Sequence, residues 1–505
     1  MLIHEHFKRT KDLLTKVDSK NVANWLLNDG FYPEQYVLPP CFCVSDFIFQ
    51  DKPYFTNIGG LKPTFVTTVS YPKSYLTNRV FGIQSPKYYH DIVYCLINEW
   101  EFVVNHIFNE ETKIYSYSFP IPLTKQEEGE ISSIRSGRMI YEWIEMAEKD
   151  LIVDAVNFKY LVRTDITNFY GSIYTHSIPW ALHGKSQARA DKVYSLLGNK
   201  IDRLMQYSND TKTNGISVGS ALSDLIAEIV LARIDREITK KLKGKDFIGV
   251  RFKDDYRVLC NSESDSKLIM KTISDELANF NLSINESKTK VTELPEGLYR
   301  EHSIQYYPNS LAEYKTITFK QFENTALIAL NIHKNYPGTS ILEKFLSELF
   351  SGDELKIRFS KLNSKRFKEI KKVISFLFLM KRKSEKIMSV VLSVIDCLYI
   401  KYHKSHPELK DFIKEKIKGD IEFSSGKDSV FEVIWLMFFG KFRKVGLGDI
   451  TDLVNSEYIK SNDFYKTIGT GRQKIYSNEG VCLYKAPINF KDQKLINYVN
   501  AFRGK

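Results

Sequence analysis

At 505 residues the chain is long enough for two or three domains with separate cores, and 43% hydrophobic with 13% aromatic content excludes a disordered or low-complexity protein. Lysine and arginine (72) outnumber aspartate and glutamate (61), and the net charge of +11 suits a polyanionic partner without demanding one. Cys41, Cys43, Cys95, Cys260, Cys397 and Cys482 are scattered, with no C-x-x-C and no nearby histidine cluster; this supports neither a disulfide framework nor a zinc site and favours a reducing cytoplasm.

The N-terminus lacks the basic-then-apolar pattern of a signal peptide, and the longest apolar stretches, 373–380, 387–400 and 430–439, are too short or interrupted to span a bilayer, so a soluble protein is expected. Apolar spacing predicts a helix over 7–30, then a proline-rich connection at 31–40 and strand-like segments to about residue 70. Ser85-Pro86 reads as a helix start, with the helix continuing past Trp100 to Val104, and 114–120 alternates like a strand. Arg135 and Arg138 flank Gly137 ahead of a helical run. Guanidinium forks match phosphate oxygens, so these two are candidates for clamping a triphosphate.

From 155 to 295 the pattern runs strand (159–165), helix (177–207), helix (216–240), hairpin (247–260), helix (264–280) and a short extended segment at 282–285. This is close to a split β-α-β arrangement, an antiparallel sheet backed by helices on one face. Two strand ends carry acids: Asp165 closes one strand, and Asp254-Asp255 sits at the hairpin tip. An isolated Asp-Asp is usually a solvated turn. Brought side by side in one sheet, these three carboxylates are instead a ligand set for two Mg²⁺ ions, with Mn²⁺ as an alternative, and the backbone carbonyl of Ile166 adds a further oxygen. After about 315, helical runs dominate (319–333, 341–350, 367–380, 387–403, 430–439), separated by polar turns, which suggests a stacked helical region.

Four stretches occur in the order of the reverse transcriptase palm, and over roughly 60–310 the chain resembles that family. Asp165-Ile166-Thr167-Asn168-Phe169-Tyr170 looks like its first catalytic motif; the resemblance makes Tyr170 the aromatic that selects deoxynucleotides, where composition alone allows a core aromatic. Asn214-Gly215-Ile216-Ser217 resembles the glycine motif beneath the nascent pair, and Phe252-Lys253-Asp254-Asp255 the catalytic hairpin. Leu282-Ser283-Ile284-Asn285-Glu286-Ser287-Lys288 looks like the motif whose lysine approaches the triphosphate. Gly215 and Lys288 thereby join Arg135, Arg138 and Tyr170 as nucleotide-binding candidates.

Asn214 and Ser217 depart from the usual templated pattern, and so does Lys253, a long cation expected near the primer terminus. With the helical C-terminal third, these departures resemble the bacterial abortive-infection reverse transcriptases, the AbiK-like and prophage-encoded exclusion proteins. That resemblance implies an α+β fold with fingers and palm followed by an all-α, HEAT-like C-terminal domain. It also implies an enzyme polymerising dNTPs without a template, a single-stranded DNA product primed by and attached to the protein, a homo-oligomer and a bacterial cytoplasmic role in antiphage defence. The expected segments are an N-terminal extension (1–60), fingers (61–158), palm (159–312) and helical domain (313–505). A templated enzyme of retron or intron type shares the same metal site and is the alternative, and a non-catalytic nucleic-acid-binding module is a third reading. Gly215-Ile216-Ser217-Val218-Gly219 formally fits a serine hydrolase elbow, but the polar run 208–213 precedes it where that motif needs a buried strand.

Overall fold

The computed structural model describes residues 2–73, 77–123, 130–131 and 146–499, apart from the side chains of 148 and 149. Its centre is a five-stranded sheet in the order β3-β5-β6-β4-β7, built from β3 (Ile114–Ser116), β4 (Tyr160–Asp165), β5 (Phe247–Phe252), β6 (Asp255–Cys260) and β7 (Lys290–Glu293). All neighbours run antiparallel except β3 and β5, which are parallel. The two central strands have lost the in-out alternation of a half-exposed sheet, since residues 247–251 and 256–260 are all buried.

One face packs on helices Ala221–Lys241 and Glu263–Asn279, which also touch each other. Toward the opposite face, Arg257 reaches the carbonyl of Ala147. Helix Ala221–Lys241 is buried along most of its length, and, beside the buried hydroxyl of Ser223, its buried ionisable residues are Asp224, Glu228 and Asp235. Their spacing of four and then seven residues sets them along a single stripe.

Ahead of the sheet lies a hairpin of β1 (Thr67–Pro72) and β2 (Asn78–Ile83), in register from Thr67–Ile83 to Pro72–Asn78. It leans on the glycine motif, Gly82 N–H donating to the Val218 carbonyl at 2.9 Å. Several long helices expected from periodicity are divided. The 7–30 segment forms Leu2–Leu14 and Ser19–Leu27, because Asp18 caps the second by accepting from the Lys20 N–H. The 177–207 segment breaks at Gly184, whose φ of 82° no helix accommodates, and again at Asp191, whose carboxylate accepts from three backbone N–H groups.

The C-terminal region is helical: Phe319–Asn335, Ile341–Glu348, Asn363–Lys381, Met388–Tyr402, Glu408–Ser425 and Val430–Phe442. The expectation of an all-α region is corrected by four two-residue strands that interrupt it: Ile317–Thr318 pairs in parallel with Ile357–Arg358, and Phe350–Ser351 pairs antiparallel with Glu354–Leu355 across a tight turn. Past the last long helix the chain returns to the N-terminal part. Ser45 bridges Cys482, Tyr32 donates to the Leu483 carbonyl at 2.9 Å, and the indole of Trp435 donates to Val37 at 3.2 Å. The same region touches the hairpin: Phe431 meets Tyr71 edge-on, and the Tyr476 hydroxyl lies among backbone groups of Phe65, Thr67 and Ile83. Among the described residues no helix is long and apolar enough to cross a membrane.

Candidate active site

β4 and β6 pair through their full length, and the last pair is Asp165 with Asp255. Directly opposed residues in an antiparallel ladder have Cα atoms roughly 4.5–5.5 Å apart. The strand ending that begins with Asp165 continues the ladder, the Ile166 N–H donating to the Asp254 carbonyl at 3.1 Å. All three acids are therefore gathered at one end of the sheet. Two residues down the same ladder, Arg163 opposes Arg257. Successive pairs of this parity point to one face, so a row of two acids lies beside a row of two arginines, each softening the other's like-charge repulsion.

Burial raises the Asp255 carboxyl above its ordinary range, with Arg257 and Arg163 pulling against that rise. Burial likewise raises Asp254, helped by the charge of Asp165. Crowded, desolvated carboxylates of this kind are stabilised by a cation. Lys288 supplies one: its Nζ lies 3.0 Å from Asp165 Oδ2. Among the described residues no three His, Cys, Asp or Glu side chains form a ready-made metal cage. The donor chemistry nevertheless fits a divalent ion, being three carboxylates whose mutual repulsion the fold enforces. Segment 282–285 bonds to the motif through the Asp165 carbonyl (from Asn285 N–H, 2.6 Å) and the Thr167 N–H (to Ser283, 2.8 Å), which leaves the Ile166 carbonyl outside that ladder.

The hairpin tip is held with unusual firmness. Phe252 pairs with Asp255, so Lys253 and Asp254 form a two-residue turn, and Lys253 has φ 51°, a conformation that costs a residue with a Cβ about 1 kcal/mol. Its N–H donates to Ser118 Oγ at 2.9 Å and its carbonyl accepts from Arg251 at 3.1 Å. Arg251 is wholly buried, forks onto both oxygens of Glu228 at 2.9 and 3.0 Å, and turns its Nε to Asp235 at 2.9 Å. The sequence position of Lys253 suggested a cation beside a primer end. Its ammonium pairs with Asp224 Oδ2 at 3.1 Å.

Tyr170 is half-buried, and its hydroxyl donates to Asp224 Oδ1. Burial and the Asp224 charge push its pKa well above the ordinary value. Gly215 adopts φ 85°, and a Cβ there would come within 3.1 Å of the Gly171 carbonyl, so the glycine motif sits tightly under the turn that carries Tyr170. Arg135 and Arg138 lie outside the described residues. Two contributions escaped sequence reading. Arg79 of β2 is exposed, and its charge weakly opposes the rise that burial imposes on Asp254. The second is the buried stripe Asp224, Glu228 and Asp235, whose partners lie on other elements of the chain.

Residues 119–319 match the family profile described as reverse transcriptase (RNA-dependent DNA polymerase), and the chain carries a reverse transcriptase domain there. No curated protein matches the chain in sequence. Among solved structures it is similar to telomerase from Candida albicans in complex with a TWJ fragment of telomeric RNA, at 12% identity and TM-score 0.31, covering 76% of this chain and 66% of that one. Apo telomerase from Candida tropicalis gives 12% identity and TM-score 0.32 over 89% of this chain and 69% of that one. The form truncated from its C-terminal domain gives 13% and 0.30, with 50% and 52% covered.

Proposed function

We propose that the chain is a DNA nucleotidyltransferase of reverse transcriptase type that polymerises dNTPs at Asp165, Asp254 and Asp255. The observation that carries this reading is the register that sets Asp165 opposite Asp255, with Ile166 bonded to Asp254. Divalent ions, Mg²⁺ or Mn²⁺, bound at this trio would activate an attacking hydroxyl and neutralise a triphosphate. Asp165 and Asp255 would hold them from facing strands, Asp254 from the turn, and the Ile166 carbonyl from the strand end. Lys288 and Arg79 bring positive charge to the phosphate side, with Arg135 and Arg138 as further candidates. Tyr170, seated over Gly215, limits the space beside the sugar.

We further propose that synthesis is template-independent and primed by a protein hydroxyl, in a homo-oligomer that blocks phage growth in the bacterial cytoplasm and keeps its single-stranded DNA product attached. Support for this finer reading comes from Asn214, Ser217 and Lys253, which depart from the templated pattern, and from the helical C-terminal third.

The test is to incubate purified protein with Mg²⁺ and single labelled dNTPs, without nucleic acid. Label is expected to migrate with the polypeptide until protease releases it, and Asp254→Asn with Asp255→Asn should reduce incorporation by at least about 1,000-fold. Incorporation only after RNA is added would replace the finer reading by the templated one. Activity retained in the double variant would remove the site assignment itself.

A further inference from the structure

Asp224 is buried, 5% exposed, in the first turn of helix Ala221–Lys241, where Ser220 caps the helix by accepting from the Ser223 N–H at 3.1 Å. The positive end of the helix favours its charged form. Both carboxylate oxygens are engaged: Oδ1 accepts from the Tyr170 hydroxyl, and Oδ2 from Lys253 Nζ at 3.1 Å. Lys253 Nζ also stands 5.9 Å from the centre of the Tyr170 ring. The three side chains come from separate elements: the turn after β4, the 221–241 helix and the catalytic hairpin.

We infer that Asp224 is a positioning residue for sugar selection, clamping the Tyr170 ring in one orientation with Lys253 as its second arm. The inference rests on the polymerase reading above.

The clamp works through elementary constraints. Tyr170 has its carbonyl fixed by the Ile216 N–H at 2.9 Å and its ring against Phe169, so the remaining freedom is rotation about the side-chain bonds. A hydroxyl donating to a charged, buried carboxylate opposes that rotation more strongly than a neutral bond does. A ring that cannot swing away excludes an added 2′-hydroxyl, whereas a mobile ring yields to it. Lys253 completes the clamp from the other side. Its backbone is fixed by Ser118 and Arg251, so the ammonium is delivered from a rigid base and holds the Asp224 carboxylate in orientation. Since the same bond commits the Tyr170 hydroxyl, this residue is removed from the 29 tyrosines available as a priming nucleophile.

The experiment compares ribonucleotide with deoxynucleotide use by the full-length protein. Single-nucleotide kinetics are measured for wild type, Tyr170→Phe, Asp224→Ala, Asp224→Asn and the Tyr170→Phe/Asp224→Ala pair, with Tyr170→Ala as the ceiling. Tyr170→Phe keeps the ring and removes only the tether. It and Asp224→Ala are each expected to raise the ratio of kcat/KM for ATP over dATP by about tenfold, mainly through a lower KM for ATP. The double variant should show no more than the larger single effect, because both changes cut one bond.

A fall in both kcat/KM values by the same factor, with the ratio unchanged, would reduce Asp224 to a fold support and overturn the inference. Should Asp224→Ala fail to fold, Tyr170→Phe and Asp224→Asn decide the question by the same ratio. Should wild type incorporate nothing, the polymerase reading falls, and calorimetric binding of ATP against dATP with Ca²⁺ judges the clamp separately. A preference shifted toward ATP in Tyr170→Phe then sustains it, and an unchanged preference or no nucleotide binding overturns it.

Discussion

Arg251 in the palm and Lys381 in the C-terminal region are both wholly buried cations, each shared by two carboxylates, which stand on the single helix Ala221–Lys241 for Arg251 and on two successive helices for Lys381. Both carboxylates around Arg251 have each oxygen satisfied. Glu228 takes two guanidinium bonds and the Ser118 hydroxyl, and Asp235 takes the Arg251 Nε and the Tyr256 hydroxyl. In the C-terminal region Lys381 reaches Asp420 at 2.8 Å and Glu432 at 2.5 Å, but Asp420 Oδ1 and Glu432 Oε2 have no hydrogen-bond partner among the described residues. A planar fork with five donors fixes direction, whereas an ammonium acts as a point charge. The palm cluster therefore orients the turn that carries Asp254, and the C-terminal cluster joins helices Asn363–Lys381, Glu408–Ser425 and Val430–Phe442 without orienting a site.

Replacing each cation tests that division. Arg251→Met leaves two buried acids unpaired and should cost more than about 5 kcal/mol, while Lys381→Met, in an already under-satisfied cluster, should cost about 3 kcal/mol. Chemical denaturation gives both values. Neutralising the partners sharpens the contrast. Lys381→Met with Asp420→Asn and Glu432→Gln should recover most of the lost stability. Arg251→Met with Glu228→Gln and Asp235→Asn should recover folding but not nucleotide incorporation, because nothing then fixes the Lys253 carbonyl. Restored incorporation in the palm triple variant would show that the cluster carries no orientation.

A helix packed on the palm and one in the C-terminal region should also answer acid in opposite directions. Burial lowers His106 to about 4; its Nε2 faces the Ile229 carbonyl at 2.8 Å and its Nδ1 faces Arg236. Its contribution is present above the unfolded value of 6.5 and is lost as pH falls through about 4, up to about 3 kcal/mol. Burial raises Glu343 of the C-terminal region to about 6. This group contributes fully below its unfolded value of 4.5 and loses about 2 kcal/mol as pH rises through 6. Hydrogen exchange between pH 4 and 6.5, corrected for intrinsic rates, should show helix Trp100–Ile107 loosening and helix Ile341–Glu348 tightening on acidification. His106→Gln and Glu343→Gln should each abolish one trend, and parallel trends in wild type would contradict the assignment.

What the sequence disclosed follows the same contrast. Asp165, Asp254 and Asp255 were legible because strand ends are local features, and pairing two strands with matching apolar runs leaves few registers. The direction of Lys253 was not, because a four-carbon stem points wherever its partner lies, and Asp224 stands 29 residues earlier. Arg79 went unread because 78–83 alternates only weakly, and β2 is recognised by its pairing with β1. In the C-terminal region helix Glu408–Ser425 was missed. Its buried apolar residues Leu409, Ile413, Ile417 and Ile421 form a single four-residue stripe between lysines and acids, too narrow to stand out from solvated sequence.

The smallest effect concerns the join between the regions. Tyr476, from the returning C-terminal segment, places its hydroxyl 2.8 Å from the Phe65 carbonyl, 2.7 Å from the Ile83 carbonyl and 3.3 Å from the Thr67 N–H. Beside it Glu479 Oε2 accepts from Ser85 Oγ at 2.8 Å and the Lys87 N–H at 3.0 Å, supplying the start of helix Pro86–Asn98 with the cap its own serine does not provide. One hydroxyl thus serves both strands at the base of the hairpin that carries Arg79. Tyr476→Phe should cost about 1–2 kcal/mol. The loss belongs to the base of β1 and β2, so the Thr67 amide should exchange faster while amides of helices Ala221–Lys241 and Asn363–Lys381 keep their wild-type rates. Uniform acceleration across all three would mean that the hairpin has no stability of its own to lose, and that the C-terminal segment folds as one unit with the palm rather than acting as a clasp between two differently built regions.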